Sequence, residues 1–301
     1  MRRVVKWFGI VLGGLVGLTA LAAAVLYADG SARLNKTYNI QVQAVTIPTD
    51  EAAIARGQHL AEGITLCTSC HGENLGGQVL EDAPMIFTLA ASNLTAGLGG
   101  VGTVYSDADY VRAIRHGINQ EGRGLIIMHS DIYHNLSKED LGAIIAFVKS
   151  MPPVDNEDAK TRVAPLGRIF VALDMFDMET MPLIPAEVID HDASFVQGPA
   201  QGPTAEYGEY LMAISLCAMC HGSDLGGAPP VEPGMPPGPN ISILAAPGGW
   251  SQKQFATAVR TGVTPSRTLN PEFMPWDKFV NMTDEELAAL WFYLQSLPPK
   301  E

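Results

Sequence analysis

The sequence Cys-Thr-Ser-Cys-His at residues 67–71 recurs as Cys-Ala-Met-Cys-His at residues 217–221. The chain contains four cysteines, and these two motifs use all of them. In both places a glycine follows the histidine directly, and a Leu-Gly-Gly sequence comes soon after it. The pair therefore indicates a duplicated unit built around Cys-x-x-Cys-His, so the chemistry of this motif decides the fold class.

A Cys-x-x-Cys pair has three common interpretations: a redox disulfide, half of a zinc site, or the attachment site of a c-type haem. A redox dithiol is typical of a strand–helix–strand neighbourhood, and neither motif has strand-rich flanks. A zinc site expects a second cysteine pair about 15–20 residues away, or a later histidine pair, whereas these motifs lie much further apart. A histidine directly after the second cysteine is typical of haem attachment, because the two thiols bond the porphyrin edge and the imidazole reaches the iron.

We therefore predict two covalently bound haem c groups, one at each motif. His71 and His221 are the predicted iron ligands on one face of each haem. The predicted covalent attachment residues are Cys67, Cys70, Cys217 and Cys220.

The composition is acidic, with a formal net charge of −13 over 301 residues. The length predicts about two domains, each large enough for its own core. The negative charge argues against nucleic-acid binding, which needs a basic surface. It is explained either by solubility alone or by a surface that steers the protein toward a basic redox partner.

The N-terminus begins with basic residues, and an apolar stretch without charge then runs from Trp7 to Tyr27. About 20 apolar residues are enough to cross a bilayer, whereas the apolar part of a signal peptide has about 7–15. The length favours an uncleaved membrane anchor over residues 1–29. A cleaved signal peptide is the alternative, because small residues alternate at Ala20-Leu21-Ala22. Basic residues before the span predict a bacterial cytoplasmic-membrane protein with its haem domains on the periplasmic side.

The rest of the chain divides into repeated units and linkers. Residues 30–49 form a predicted linker, and residues 50–153 the first haem domain. An interdomain linker with a possible short helix follows at 154–203, and the second haem domain occupies 204–301. In each repeat an Asn-Leu-Thr or Asn-Ile-Ser sequence follows the haem motif, at residues 93–95 and 240–242.

Two capped helices close each repeat. The first is predicted to begin at Ser106 and at Ser251, and to end at Gly117 and at Gly262. The second is predicted to begin at the capping residues Ser137 and Thr283, and Pro-Pro sequences stop it in both repeats. Since no segment shows the alternation of a strand, the prediction is an all-α fold.

The second iron ligand decides whether each haem is a closed electron carrier or an open catalytic centre. Met128 and Met274 lie in the loop between the two closing helices, at the same distance before Ser137 and Thr283. A methionine in a core is usually a gap-filler, but two at equivalent loop positions are predicted to be axial ligands. In the first repeat His129 and His134 lie close by, so a histidine ligand there remains the alternative.

Arg115 and Arg260 also occupy equivalent positions, near the end of the first closing helix. An arginine at a helix end is usually solvated. The functional alternative is a charged hydrogen bond to a haem propionate.

These residues resemble the class I c-type cytochromes, in particular membrane-anchored dihaem cytochromes c. The resemblance rests on Cys-x-x-Cys-His-Gly, the Asn-x-Thr/Ser sequence, the methionine loop and the closing helix before Pro-Pro, and covers both repeats. It implies two tandem class I cytochrome c domains after an N-terminal transmembrane helix, with His/Met iron. The family often has proline after its ligand methionine, as in Met274-Pro275, and Met128-His129 departs from this.

The arrangement is similar to cytochrome subunits of periplasmic dehydrogenases. It implies electron transfer from a membrane or periplasmic dehydrogenase, or another quinol-side donor, to a downstream cytochrome or oxidase. Such a protein would be a redox subunit rather than an enzyme. The alternative is a dihaem peroxidase-like enzyme with one open haem in the first domain, where the histidines near Met128 would lie.

Overall fold

The computed structural model describes residues 2–177, 181–231 and 234–298. Positions 1, 178–180, 232–233 and 299–301, which fall in the predicted anchor, linker and second domain, lie outside the described residues. The helices of the described part are α1 (Arg2–Leu34), α2 (Glu51–Gly63), α3 (Cys67–His71), α4 (Asp107–His116), α5 (Ser130–Tyr133), α6 (Lys138–Ser150), α7 (Pro165–Ala172), α8 (Ala205–Ile214), α9 (Cys217–His221), α10 (Gln252–Thr261) and α11 (Asp284–Ser296). The strands are β1 (Gln78–Ala83), β2 (Phe87–Ala91) and β3 (Arg162–Val163).

The closing helices begin and end where the sequence predicts. The hydroxyls of Ser106 and Ser251 accept hydrogen bonds from the backbone N–H three residues later, and the residues at that position reach back to form full capping boxes on α4 and α10. Both helices end at a glycine with left-handed backbone, φ 63° at Gly117 and 70° at Gly262. The same capping interactions therefore determine the ends of the equivalent helices α4 and α10.

In each repeat the first and last long helices, α2 with α6 and α8 with α11, cross at a glycine. A Cβ atom added at Gly57 on α2 would lie 1.9 Å from the carbonyl oxygen of Ala143 on α6. At Gly208 on α8 the same atom would lie 2.0 Å from the carbonyl oxygen of Ala289 on α11. The two backbones thus touch directly in each repeat, and only glycine leaves room for that approach.

A small antiparallel sheet in the first repeat departs from the all-helical expectation. β1 pairs with β2 in a hairpin, with a register shift between Val79 and Glu81, and β3 adds to the other edge of β2. β1 is exposed along almost its whole length. Because neither face of β1 is buried, its sequence has no alternation of apolar and polar residues. That alternation is the signal from which a strand is predicted.

The two repeats share one hydrophobic core. Buried side chains from the helix pairs α2/α6 and α8/α11 belong to a single continuous cluster. Its completely buried members come from both halves, including Leu60, Leu141 and Ile145 of the first and Leu211 and Ala289 of the second. The haem-bearing segments are thus held by one packed body rather than by two independent ones.

A polar cluster crosses the interface between the repeats with approximate twofold symmetry. Tyr210 of the second repeat donates its hydroxyl to Asp140 at 2.8 Å, near the start of α6. At the equivalent place His59 of the first repeat lies 2.8 Å from Glu286, near the start of α11. Arg56 pairs with both carboxylates, at 3.1 Å from Asp140 and 3.5 Å from Glu286. Each domain thus supplies a partner for the acidic residue in the first turn of the last helix of the other.

Replacing Glu286 by glutamine should weaken this interface in a pH-dependent way. Burial alone would raise the pKa of Glu286, but hydrogen bonds from His59 and the Thr283 backbone, with the charge of Arg56, hold it below its ordinary value of 4.5. The carboxylate therefore contributes stability above about pH 4.5, and this contribution is lost as the pH falls through the lower folded-state pKa. We expect E286Q to cost about 2 kcal/mol at pH 7, with a shrinking difference from the parent in acid. Urea unfolding between pH 3 and pH 8 measures it, and a difference that stays constant over this range would contradict the assignment.

The N-terminal helix α1 has 33 residues, and its apolar part has a mean hydropathy of 2.3 with none of it buried. By length and composition it is able to cross a membrane, and a signal sequence would pass the same test. Its C-terminal end packs on α7 of the interdomain segment. There Arg33 forms ion pairs of 2.7–2.8 Å with Asp174, Asp177 and Glu187.

The predicted short helix of the interdomain segment is α7. It packs on α1 and on the first repeat, where a second, smaller apolar cluster forms around Ile118, Val171 and Ile184. Ile127, next to Met128, donates its backbone N–H to the carbonyl of Leu183 at 2.9 Å. The interdomain segment thus covers the methionine loop of the first repeat.

Candidate haem sites

Both Cys-x-x-Cys-His motifs form a short helix, α3 or α9, that holds its histidine by the same backbone contact. Nδ1 of His71 lies 2.8 Å from the carbonyl oxygen of Ser92, and Nδ1 of His221 lies 2.8 Å from that of Pro239. A carbonyl only accepts, so Nδ1 carries the proton and Nε2 carries the lone pair that a metal needs. Both rings are nearly buried, with 8% and 9% exposure.

The carbonyls that orient the histidines are fixed by the Asn-x-Thr/Ser sequences. The side-chain oxygen of Asn93 accepts the backbone N–H and the hydroxyl of Thr95, both at 2.9 Å. Asn240 does the same for Ser242, at 3.0 and 2.7 Å. Because Ser92 and Pro239 directly precede these asparagines, the turn sets the direction of each carbonyl. The sequence motif thus acts indirectly on the histidine that is predicted to ligate iron.

The histidines are electrostatically suited to metal binding. Burial lowers the pKa of both His71 and His221, more than the carbonyl contact raises it. Both rings are therefore neutral near pH 7, which is the protonation state that ligates iron. Among the described residues, neither Nε2 makes a hydrogen bond within the protein.

The cysteine thiols do not resemble those of a redox dithiol. Burial raises the pKa of all four, to about 11 for Cys67, whereas reactive dithiols have lowered values. No group of three or more histidine, cysteine, aspartate or glutamate side chains that could hold a metal ion occurs within residues 2–177, 181–231 and 234–298. The donor set at each motif, two thiols and one oriented neutral imidazole, fits a covalently attached haem.

The two methionine loops begin and end with equivalent hydrogen bonds, although their backbones differ in between. Ile127, before Met128, has a left-handed φ of 53°, whereas Phe273 and Met274 both donate to the carbonyl of Asn270. Each loop is anchored to the end of its preceding helix by a hydrogen bond of 2.7 Å, from Leu125 to Gly117 and from Leu269 to Gly262. The carbonyl of each methionine then closes a tight turn, accepting from Ser130 at 2.5 Å for Met128 and from Trp276 at 2.7 Å for Met274. Both methionines are partly buried against the shared core.

In the first loop His129 stands where the second loop has Pro275, and the backbone conformation at this position is similar. His129 has φ −65° and ψ 46°, and Pro275 has φ −75° and ψ 59°. His129 thus adopts the conformation that proline fixes by its ring. The departure of Met128-His129 from the family pattern is therefore a substitution within the same turn geometry.

His134, an alternative candidate for the iron ligand, makes its contacts with residues of helix α4. Its Nδ1 lies 3.2 Å from the carbonyl oxygen of Arg115, and its ring packs edge-on to His116. His129 packs edge-on to Tyr133 instead, with ring centroids 6.5 Å apart. For His134 these contacts favour a structural role over iron ligation, and Met128 stays the predicted ligand.

Arg115 and Arg260 both reach the segment that precedes the last helix. Arg115 is 1% exposed, donates to the carbonyls of His134 and Ala193, and lies 3.9 Å over the ring of Phe195. Arg260 donates to the carbonyl of Met282 and pairs with Asp284. Each guanidinium thus tethers the end of the methionine loop to the preceding helix. The propionate contact stays a prediction.

A buried tyrosine beside the first haem motif was not among the predicted site residues. The hydroxyl of Tyr133 donates to the carbonyl oxygen of Thr65 at 2.6 Å, and the hydroxyl of Thr65 lies 3.3 Å from the sulfur of Cys67. The equivalent position in the second repeat is the buried Phe279. An aromatic residue lies five residues after the methionine in both repeats, and this repetition could have identified the position from the sequence.

Comparison with known proteins matches the cytochrome c family model to residues 54–152 and again to residues 205–298. Each matched region contains one Cys-x-x-Cys-His motif and one methionine loop. The match covers more than half of the chain.

Among curated proteins, the cytochrome c subunit of a quinone-dependent alcohol dehydrogenase from Gluconacetobacter polyoxogenes is 26% identical over 284 residues, 85% of this chain and 58% of that protein. The fructose dehydrogenase cytochrome subunit of Gluconobacter japonicus is 24% identical over 302 residues, 94% of this chain and 59% of that protein. A nicotinate dehydrogenase subunit from Pseudomonas putida is 24% identical over 325 residues, 98% of this chain but only 25% of that protein. The chain therefore spans less than two thirds of the length of the relatives it matches.

The repeated motif, the histidine held by a backbone carbonyl and the two family matches agree with one another. They confirm the resemblance inferred from the sequence, the helical two-domain fold class and the prediction of two haem groups. The chain belongs to the cytochrome c family and carries covalently bound haem c, one group in each of its two domains.

Proposed function

We propose that this protein is an electron-transfer subunit that accepts electrons from a dehydrogenase, or another quinol-side donor, and passes them to a downstream cytochrome or oxidase. Bound haem supplies iron that gains and loses one electron. The observation that carries the proposal is the pair of hydrogen bonds, equivalent in the two repeats, that begin and end the loops of Met128 and Met274. The kinship with dehydrogenase cytochrome subunits supports a dehydrogenase as the donor.

In this proposal the residues of each domain hold a haem whose two axial positions are filled. His71 with Met128, and His221 with Met274, would ligate the two irons, and the four motif cysteines would form the thioether bonds. With both positions filled, substrate has no vacant site on iron. The loop hydrogen bonds shared by the two repeats and the similarity to cytochrome subunits both disfavour the peroxidase-like alternative with one open haem.

We further propose that α1 remains attached and anchors the protein in the bacterial cytoplasmic membrane, with both haem domains on the periplasmic side. Its exposed apolar surface supports this, as does the cluster of basic residues before the span. An anchor would keep the haems near a membrane-bound donor, while the acidic surface of the domains would attract a basic acceptor.

Optical spectroscopy of the purified holoprotein tests the electron-carrier proposal. We expect low-spin spectra with a methionine–iron charge-transfer band for both haems, and no rapid binding of carbon monoxide. A high-spin fraction that binds carbon monoxide would contradict the proposal and support an open haem.

The attachment residues are tested by intact mass. The parent protein should carry the mass of two haems, and the double variant Cys67→Ala/Cys70→Ala should carry one, because its second motif is untouched. A control with both cysteines of the second motif replaced should also carry one. Two haems remaining in either variant would show that the replaced cysteines are not the attachment points.

A further inference from the structure

Near the C-terminal end of α1, one face of the helix is covered by the rest of the protein. Ala23, Leu26 and Gly30 are less exposed than their neighbours on the helix. Their spacing of three and four residues places them on a single face. Ala23 and Leu26 belong to the apolar stretch predicted to cross the membrane. Part of the folded domain therefore extends alongside the last turns of that stretch.

The element that lies there is α7. The guanidinium of Arg168 lies 5.9 Å from the ring of Tyr27, and a Cβ added at Gly30 would lie 1.8 Å from the carbonyl oxygen of Arg168. Further along, Arg33 donates to the carbonyl of Val171 and to Asp174. The contacts advance in the same direction on both helices, so α7 runs parallel to α1.

This parallel arrangement turns the N-terminal end of α7 toward the apolar stretch. A helix rises about 1.5 Å per residue, so Pro165 lies about 4.5 Å closer to that stretch than Arg168 does. Leu166, in this first turn, is 39% exposed. The opposite end of α7 leads to Met175, which is 60% exposed and directly follows Asp174, an ion-pair partner of Arg33.

The tip of the β1–β2 hairpin is fixed beside the same end of α7. The carbonyl of Ile86 accepts the backbone N–H of Ala164 at 2.9 Å. A Cβ added at Gly167 would lie only 2.1 Å from that carbonyl oxygen. The neighbouring Met85 is 79% exposed, more than any other large apolar side chain of the described residues.

We propose that Tyr27, Met85 and Leu166 form a membrane-facing patch that inserts into the headgroup boundary of the lipid bilayer crossed by α1. The proposal rests on the anchoring role proposed for α1. Tyr27 itself belongs to the apolar stretch of that helix. Arg168, whose guanidinium lies over the ring of Tyr27, adds a positive charge that suits lipid phosphates. Asp82 and Glu81 lie one and two residue pairs back along β1 from the last pair of the hairpin, Ala83 with Phe87.

Such a patch determines how the first haem domain sits on the membrane. One helix alone leaves the attached domain free to tilt, whereas insertion at Met85 and Leu166 adds contacts away from the helix axis. An aromatic ring at the boundary, here Tyr27, is typical of interfacial anchoring. The first domain is thereby held against the bilayer surface, and the second domain, packed on the first, is oriented with it.

Spin labels test the patch in the full-length holoprotein reconstituted in liposomes of zwitterionic and anionic phospholipid. Haem attachment consumes the native thiols, so a nitroxide label reacts at one introduced cysteine, in Met85→Cys, Leu166→Cys or the matched control Met175→Cys. We expect collisions with a water-soluble nickel chelate to be severalfold rarer at residues 85 and 166 than at residue 175. Collisions with oxygen, which concentrates in lipid, should be more frequent there.

A fourth label, in Val16→Cys, tests the anchor separately, because this residue lies within the apolar stretch. If residue 16 is shielded from nickel but residues 85 and 166 are as open as residue 175, the patch is wrong and the anchor stands. If residue 16 is itself open to nickel, the anchor fails and the patch fails with it. Shielding at 16, 85 and 166 together supports the proposal.

Discussion

Met274→Leu is expected to change the haem of the second domain from low-spin to high-spin iron and to lower its reduction potential. Leucine has nearly the volume of methionine, so repacking should cost less than about 1.5 kcal/mol, but it has no thioether sulfur. Methionine ligation raises the potential of histidine-bound haem. The expected fall is on the order of 0.1 V or more, within the range of about 0.8 V that axial ligands cover. A spectroscopic redox titration of the holoprotein measures both changes.

Met282→Leu provides the matched control, because this methionine belongs to the same segment and is 3% exposed. It should leave spin state and potential unchanged. Met128→Leu should act on the first haem as Met274→Leu does on the second. If Met128→Leu has no effect and His129→Ala shifts the potential, histidine is the ligand in the first domain. Unchanged spectra in Met274→Leu would refute the axial assignment there.

Gly57→Ala is expected to destabilise the protein by about 2–3 kcal/mol, a large effect for one added methyl group. In an ordinary helix the same change stabilises by about 0.5–1 kcal/mol. Here the new Cβ would lie 1.9 Å from the carbonyl oxygen of Ala143, so α2 and α6 must separate. Since this crossing supports the haem motif, the iron should also lose its predicted methionine ligand at a lower urea concentration, while the haem stays covalently attached. Urea unfolding followed by helix signal and by haem absorbance measures both.

Gly63→Ala is the control on the same helix. Its Cβ would meet only ordinary contacts, the nearest being Cβ of Asn281 at 3.6 Å. It should be neutral or slightly stabilising. Gly208→Ala should repeat the loss seen for Gly57→Ala, because the crossing of α8 and α11 is equally close. Equal stabilities of the Gly57 and Gly63 variants would show that the helices adjust at no cost.

The sequence predicts those features that depend on local chemistry. Serine and threonine caps, glycine stops and the haem motifs act within a few residues, so the helices around them are found where they were predicted. The partner of each haem histidine was not predictable, because it is a backbone carbonyl that any residue could supply. The β1–β2 hairpin was missed for a different reason. Its first strand lies on the surface, where no apolar pattern is required, and its second strand is half-buried without alternating exposure.

Contacts between the repeats could not be predicted from either repeat alone. Arg56, His59 and Tyr210 have no special spacing, and their roles depend on how the second domain docks on the first. Similarly, Arg115 was predicted to be either solvated or near a propionate, but the interdomain segment folds over it through Phe195. The roles of these residues depend on tertiary packing, which composition and periodicity do not reveal.

The shared core has a consequence for how the protein denatures. Tyr210 receives the backbone N–H of Ser137 at 3.2 Å, and Asn135 reaches the carbonyl of Ala213 at 3.4 Å, so each domain completes the helix ends of its neighbour. Splitting the chain between its halves would leave apolar surface and helix termini uncovered on both pieces. The two haem domains should therefore melt as one cooperative unit. The spacing between the irons is then a property of the fold, held until the whole molecule unfolds.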